Sequence, residues 1–411
     1  MRVLFIPFGG SVSHSIPLIA LSRMLDKAVF KVAFLLPRGR HQLAARFGLD
    51  TIDIDYLYDQ HSFRNELRAY GLFSPDVVID DTNSVTGLTT EFVNLPRVTI
   101  QRTGLFPGSV PCDPSYEFSL EFDMKHVQNM AFMGLSQPQK FSDFFNAKYK
   151  IVPGIPSIEQ LPPSLSNDPS YFFSGPLLLE DYMMDEVFKL PDHSDSGLPA
   201  EEDLMSLERF FAEHAQRRRI YITMGTVAKA GPTIISCIRR LLRQRTAVVT
   251  NIIVEDLNAE DKQYYFRSLH LPLNYVCKNV DLMIHQCGSG TYHYPIINQV
   301  PTITIGTRTY DRDGVARRLQ ELGVSVHLKA PEERADFEEA FHESIARYYE
   351  DEALVAKTRQ RMAALNDEIA RTTAAFNLGE VLQKAVRSAP RIDRSRAVGA
   401  RVRSRQLVTS S

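Results

Sequence analysis

A histidine between a strand and a helix, two carboxylates at the end of a nearby strand, and two glycine turns are where this 411-residue chain could do chemistry. The histidine lies in "FGGSVSHSIPLIALSRML", where His14 follows a glycine-containing loop and precedes a helix whose first turn is expected to hold Pro17. A side chain there sits over the C-terminal edge of a sheet, where α/β proteins collect ligands. The positive end of the helix favours neutral imidazole, the form that accepts a proton. The carboxylates, Asp80 and Asp81, end the strand in "PDVVIDDTNS". A carboxylate at that place can take the Nδ1–H of His14, fix its tautomer and stabilise the imidazolium formed when the base works. At least one of the two is expected to cap the segment that follows. The glycine turns are "TMGT" (Thr223 to Thr226) and "CGSGT" (Cys287 to Thr291), each at the end of an apolar strand. Gly225, Gly288 and Gly290 let backbone approach a ligand closely, while Thr226, Ser289 and Thr291 add hydroxyl donors. A strand, a tight turn and a helix start together offer bare N–H groups to a phosphate. A diphosphate fits between two such turns without a metal. Taken singly, each feature has a plain alternative: a capping histidine, a capping aspartate, an ordinary turn.

The elements that must position these residues alternate along the chain. "RVLFIPF", "FKVAFLLP", "TIDID", "PDVVID" and "LPRVTI" read as strands, and "IPLIALSRML", "HQLAARFG" and "SFRNELRAYG" as helices between them. Short apolar strands separated by helices imply a parallel sheet covered on both faces. From Gly104 to Pro199 the pattern loosens into scattered aromatics, Pro and Ser, ending in the breaker-rich "LPDHSDSGLPAEED" that reads as an interdomain linker. The alternation then restarts with "RIYITMGT", "PTIISCIRRLL", "AVVTNIIV", "VDLMI" ending at His285, "YPIINQ", "PTITI" and "DGVARRLQELG". Residues 331–386 are strongly helical, and after Pro390 comes a basic tail expected to be disordered.

Bulk properties remove several classes of function. Hydrophobic residues make up 44% and charged residues 23%, as in globular domains, and the formal net charge of −2 gives no reason to expect nucleic acid as a partner. The four cysteines (Cys112, Cys237, Cys277, Cys287) show no paired spacing for zinc and read as reduced thiols of a cytoplasmic protein. The opening apolar run stops at Pro7, so it reads as a buried strand rather than a signal peptide, and no stretch is long enough to span a bilayer.

With these residues in place, the chain resembles the nucleotide-sugar-dependent glycosyltransferases of the GT-B fold, family 1 type, especially those that tailor bacterial natural products. "GGSVSHSIPLIALSRML" is similar to that family's G-H-x-x-P-x-x-x-L-A opening, and "PDVVIDD" to its P-D-L-V-V-x-D strand. "YFFSGPLLLED" resembles the G-P segment before the linker, and "YITMGT" the S-x-G-S/T strand end. "HLPLNYVCKNVDLMIHQCGSGTYHYPIINQVPTITI" resembles the long donor-site signature, and "YDRDGVARRLQELGV" the D-Q-x-x-N-A-x-R segment. Six motifs fall in the family's order over nearly the whole folded chain. The resemblance implies that His14 is the base and that Asp81, with Asp80 as alternate, orients it.

The resemblance also implies a nucleotide-sugar site built from Gly225, Thr226, His270, His285, Gln286, Gly288, Ser289, Gly290, Thr291, His293, Asp311 and Arg312. In it Gln286 replaces the family's diphosphate-binding His, with His285 just before it, and Gln still donates one neutral hydrogen bond. His293 matches a second His of some antibiotic-tailoring members. Tyr294 replaces a Glu that holds ribose hydroxyls, a loss better tolerated by a dTDP-sugar than by a UDP-sugar. Asp311 is kept from the pair that reads the sugar, while Arg312 replaces its Gln and either faces a carboxylate or turns to solvent. His270 stands where relatives stack an aromatic ring on the base.

The expected architecture is therefore α/β, two Rossmann-like domains facing a cleft. Residues 1–199 form an acceptor domain, 200–350 a donor domain, 351–386 helices returning to the first domain, and 387–411 a basic tail. The expected activity is inverting, metal-independent transfer of a sugar from a dTDP- or UDP-donor to a hydroxyl of an apolar small molecule. No further cofactor is expected, and the chain is expected to be a monomer or homodimer. A nucleotide-sugar 2-epimerase and a non-catalytic relative that binds nucleotide or assists a partner enzyme are the alternatives.

Overall fold

The computed structural model describes residues 1–8, 12–57, 61–106, 147–179, 204–225, 230–268, 271–308, 310–390 and 392–393, with backbone alone for 12, 310 and 311. Thr226, His270, the side chain of Asp311, residues 107–146 of the aromatic region, the polar stretch 190–203 and nearly all of the tail lie outside them.

The apolar runs form two sheets. In the first, β1 (Arg2–Pro7), β2 (Lys31–Phe34), β3 (Asp50–Thr51), β4 (Val77–Asp81), β5 (Arg97–Ile100), β6 (Tyr149–Val152) and β7 (Tyr171–Phe173) lie in the order β3-β2-β1-β4-β5-β6-β7. In the second, β8 (Arg219–Thr223), β9 (Ala247–Thr250), β10 (Tyr265–Arg267), β11 (Leu282–His285), β12 (Thr302–Ile305) and β13 (Ser325–Leu328) lie in the order β10-β9-β8-β11-β12-β13. Neighbouring strands pair in parallel throughout both sheets. Parallel strands need cover on both faces, which is why central strands such as β4 and β11 are buried at every position. Strands β6, β7, β10 and β13 are absent from the sequence reading, the first two falling in the stretch read as loosened. β7 and β10 are three residues long, β6 carries Lys150, and β13 carries Ser325 and His327, so none shows a long run of apolar residues.

Each sheet reverses its winding once, between β1 and β4 in the first and between β8 and β11 in the second. Such a reversal leaves a crevice beyond the strand C-termini, since the flanking connections depart in opposite directions. Both families of chemical residues lie at these two places: His14 and Asp81 follow β1 and end β4, while Gly225 and Gln286 follow β8 and β11.

Helix α1 spans Val12–Arg23, longer than expected, so Pro17 stands inside the helix rather than in its first turn. The earlier start moves His14 into the first turn itself. α2 (His41–Arg46), α3 (Ser62–Phe73) and α4 (Ser84–Phe92) follow in the first half. α4 opens on Asn83, whose side chain accepts hydrogen bonds from the N–H groups of Val85 and Thr86. In the second half, α5 (Leu204–Glu213), α6 (Pro232–Arg243), α7 (Leu273–Asn279), α8 (His293–Ile297) and α9 (Tyr310–Glu321) precede α10 (Phe337–Glu350). Ile220, Ile222, Leu282, Ile284 and Ile303 form one core with α6 and α10. On the first sheet, Leu4, Ile6, Val78 and Ala33 pack with Leu67, Tyr70 and Phe73 of α3.

The chain divides into two compact units, residues 1–179 with 371–411, and residues 180–370. The long helix α11 (Glu352–Ala375) therefore lies in the second unit for most of its length. α12 (Leu378–Arg387) belongs to the first, where it packs against β4 and β5. Gly175, at φ +71°, marks that return: a Cβ there would fall 2.1 Å from Oγ1 of Thr373. Among the described residues, no helix is long and apolar enough to cross a membrane.

Candidate active site

Adjacent residues of a strand point to opposite faces, so Asp80 and Asp81 cannot share a role. Asp80 turns to the α3–α4 side. Its Oδ1 accepts from Nε of Arg97 at 2.7 Å, and its Oδ2 from Nη2 of Arg97 at 3.0 Å, Oγ1 of Thr99 at 3.1 Å and the Asn83 N–H at 3.0 Å. It is the capping, structural carboxylate. Asp81 turns the other way, and its Oδ2 lies 3.2 Å from Nδ1 of His14. The Asp81 side chain is fully buried, whereas His14 is 24% exposed. One ring nitrogen thus faces the carboxylate on a partly open residue.

The sequence reading misses a third member of this group. Arg102, two residues past β5 and only 6% exposed, grips both oxygens of Asp81: Nη2 donates to Oδ2 at 2.6 Å and Nη1 to Oδ1. Nη1 also donates to Oγ1 of Thr82 at 2.8 Å, and that hydroxyl donates to Oδ1 of Asp81 at 2.9 Å. Thr82 pays for this in backbone conformation, with φ at +56°. Burial alone would raise the Asp81 carboxyl. The Arg102 guanidinium and His14 overcome that and hold it well below the usual carboxylate range. Asp81 is therefore a fixed anion shared between a guanidinium and an imidazole.

Behind Asp80 lies a buried network also absent from the sequence reading. Glu66 accepts from the hydroxyls of Tyr56 at 2.5 Å, Tyr70 at 3.0 Å and Thr86 at 3.0 Å, and from that of Thr89. Burial pushes its carboxyl up to about 7 against the pull of those hydroxyls. Nδ2 of Asn83 donates to the Tyr56 hydroxyl at 3.0 Å, which ties this network to the loop after β4.

In the second unit the residues of "HQCGSGT" divide their work. His285 is buried, and its Nδ1 accepts from the Cys287 N–H at 3.1 Å. Desolvation pulls its ring down to about 3, so it is a neutral brace for the turn. Cys287, rather than any of the glycines beside it, is the residue with positive φ, +57°. The turn closes with the Thr291 N–H donating to the Gly288 carbonyl at 2.7 Å, and Nδ1 of His293 lies 3.3 Å from the Ser289 carbonyl. His293 is buried as well, and desolvation brings it to about 3. Ser289 and Thr291 are half-buried, and a Cβ added at Gly290 would meet nothing within 4 Å, so this rim of the turn borders open space.

Gln286 is 2% exposed and packs onto Gly225, which has φ +69°. A Cβ on Gly225 would fall 2.1 Å from Nε2 of Gln286, and the positive φ also favours glycine there. Asn251, unremarked in the sequence, fixes that turn by donating from Nδ2 to the Gly225 carbonyl at 3.0 Å, and Oγ1 of Thr223 accepts from the Gly225 N–H at 3.0 Å. Arg312, in the first turn of α9, donates from Nη1 to Oε1 of Gln286 at 2.9 Å. Asp313 beside it turns back and accepts from the N–H groups of Thr307 and Arg308. Among the described residues no group of three or more His, Cys, Asp or Glu is gathered as a metal site.

No protein-family model matches the chain, and no curated protein sequence does. Solved structures do. Spinosyn forosaminyltransferase SpnP is 18% identical, with a TM-score of 0.65 over 94% of this chain and 100% of that one. The glycotransferase of kitacinnamycin is 13% identical, with a TM-score of 0.66 over 94% and 99%. Spinosyn rhamnosyltransferase SpnG complexed with thymidine diphosphate is 18% identical, with a TM-score of 0.58 over 91% and 98%. At these identities the likeness establishes a shared fold: two Rossmann-like domains, the GT-B architecture.

Proposed function

We propose that this chain is an inverting glycosyltransferase that moves a sugar from a nucleoside-diphosphate donor to a hydroxyl of an apolar small molecule. The observation that carries the reading is His14 held 3.2 Å from the buried anion Asp81 at the reversal point of the first sheet. With Nδ1 turned to the carboxylate, Nε2 is left to take the acceptor's hydroxyl proton. The deprotonating oxygen bonds to the anomeric carbon from the face opposite the diphosphate, and the bond between that carbon and the phosphate oxygen breaks, its electron pair leaving with the diphosphate. Gly225, Thr226, Gln286, Gly288, Ser289, Gly290 and Thr291 meet the charge that grows there, and Asp311 reads the sugar. His285 and His293 act through the shape of the turn.

Two further points support the reading. The second sheet carries its glycine turns at the same reversal point as the first carries its base. The GT-B relatives named above include SpnG, which has been solved with thymidine diphosphate and with spinosyn aglycone. A dTDP-sugar is the proposed donor, because Tyr294 offers no carboxylate to a ribose 2′-hydroxyl.

The test is a mass-spectrometric screen of the purified chain against paired dTDP- and UDP-sugars with a mixed aglycone pool. The expected result is a mass gain of one sugar on an aglycone, faster with the dTDP donor, and lost in His14→Ala by about 10²–10⁴-fold. Isomerised donor in the absence of acceptor establishes an epimerase instead, and near-normal turnover by His14→Ala removes the base from the mechanism.

A further inference from the structure

Thr82 joins β4 to the cap of α4 and carries a left-handed backbone, φ +56°. A β-branched side chain suits that region badly, whereas glycine enters it freely. The chain nevertheless keeps threonine there. Strain of this kind persists where the surroundings over-determine a residue, and both neighbours of Thr82 are fixed. On one side, Asp81 is paired in register with Pro7 of β1 and Ile100 of β5. On the other, Asn83 is fully buried with each of its polar atoms engaged. Its N–H donates to Oδ2 of Asp80 at 3.0 Å, and its carbonyl accepts from Nη2 of Arg97 at 3.3 Å. Its Oδ1 accepts from the N–H groups of Val85 and Thr86, and its Nδ2 donates to the hydroxyl of Tyr56, itself held by Glu66.

The left-handed turn brings the Thr82 hydroxyl back onto the residue before it. Oγ1 donates to Oδ1 of Asp81 at 2.9 Å and accepts from Nη1 of Arg102 at 2.8 Å. A carboxylate and a guanidinium joined by two bonds can still swing as one body. A hydroxyl bonded to both ties that body to the backbone between β4 and α4, with Oδ2 of Asp81 3.2 Å from Nδ1 of His14. We infer that Thr82 is a positioning residue for the base, its strained backbone kept because only there does its hydroxyl hold Asp81 at His14. The inference rests on the proposed function and adds to it a residue that acts through Asp81. Asn83, Tyr56 and Glu66 then serve the same end from the α3–α4 side, as the brace that keeps the strain in place.

The experiment compares the full-length wild type with Thr82→Ser, Thr82→Ala and Thr82→Gly in turnover, in thermal unfolding and in NMR of protein carrying nitrogen-labelled histidine. The His14 signals are assigned by their loss in His14→Ala. Stability and turnover are expected to rank differently. Alanine and glycine both delete the hydroxyl and only glycine relaxes the backbone, so Thr82→Gly unfolds at a higher temperature than Thr82→Ala. Turnover follows the hydroxyl instead. Thr82→Ser keeps most of it, while Thr82→Ala and Thr82→Gly both lower kcat by about 10–100-fold, the size of a hydrogen bond to a charged group, with the KM for donor unchanged. The His14 ring shows one tautomer, protonated on Nδ1, in the wild type and Thr82→Ser, and both tautomers in the other two. A Thr82→Gly protein that turns over like the wild type, or losses that follow thermal stability rather than the hydroxyl, overturn the inference and leave the proposed function standing. Should the wild type transfer no sugar, the proposed function falls and the tautomers decide alone: the same single tautomer in all four proteins overturns the inference.

Discussion

Asp81→Asn separates two jobs that one carboxylate performs. In the wild type, Oδ1 receives Nη1 of Arg102 and the Thr82 hydroxyl, while Oδ2 receives Nη2 of Arg102 and faces Nδ1 of His14. An asparagine keeps its oxygen where two donors meet, on the Thr82 side, and so places its NH2 at the Oδ2 position. There it opposes Nη2 of Arg102, donor against donor, and presents a proton to Nδ1 of His14. The imidazole must then carry its own proton on Nε2 and cannot accept one from a substrate. Two consequences differ in kind. Arg102, 6% exposed, loses the buried countercharge that Asp81 supplies, which destabilises the first unit by about 3–5 kcal/mol. For a unit of this size that lowers the midpoint of thermal unfolding by roughly 6–20 °C. The wrong tautomer lowers kcat by on the order of 10³–10⁴-fold. Asp81→Asn combined with Arg102→Met removes the buried cation along with its partner, so most of the stability returns while turnover stays low. Calorimetry and a donor-consumption assay on the three proteins read the two effects separately. Return of turnover in the double variant would refute the reasoning, since Asp81 would then serve only to neutralise Arg102.

Cys287→Gly should be more stable than Cys287→Ala by about 1 kcal/mol in urea unfolding, because both delete the buried thiol and only glycine relieves the left-handed backbone. Gly175→Ala meets both a positive φ and Thr373, so it should destabilise by more than 1 kcal/mol and loosen α12, measured as faster amide exchange in Leu378–Arg387. Glu66 has a folded pKa of about 7, above its unfolded value, so the stability it contributes is complete below the unfolded pKa of ~4.3 and is lost as pH rises through 7. Wild type should therefore lose about 2 kcal/mol between pH 5.5 and 8 in urea unfolding from this group, a loss absent from Glu66→Gln. His285 and His293 act in the opposite sense: their folded values near 3 lie below the unfolded ~6.5, so stability present above 6.5 is lost as pH falls toward 3. Together they should make the second unit the acid-labile half, at on the order of 3 kcal/mol each by pH 4, visible as early loss of amide protection in β11 and α8.

The fold was legible because parallel strands buried on both faces leave a plain trace, short runs such as "VVID" and "ITI" between amphipathic segments. Where that trace is thin, as in β10 and β13, the strand exists because its neighbours supply the ladder. That His14 and a carboxylate lie together was legible from their positions in the connection after β1 and at the end of β4. The choice of Asp81 over Asp80 came from the resemblance alone, since the residues by themselves do not say which face of the sheet β4 turns to α1. Arg102 was invisible for a related reason: a lone arginine in "QRTG" looks like a loop cation until β5 is known to lie beside β4. "HQCGSGT" was recognisable as a turn from its glycines, yet neither Gly288 nor Gly290 has a positive φ. The strained residue is Cys287, which no glycine rule would select. The early start of α1 was hidden by Pro17, which reads as a first-turn residue and stands inside the helix instead.

The repeated strand order has a consequence for how such a chain can change. Each half concentrates its chemistry in connections leaving the same pair of inner strands, while the apolar residues that hold the half together lie further back along those strands and on the covering helices. Mutation can therefore rewrite what either half recognises without disturbing what keeps it folded. Gln286 with Arg312 and Asp81 with Arg102 stand in those connections, each pair joined by side-chain hydrogen bonds, so a change at one member alters what the other presents.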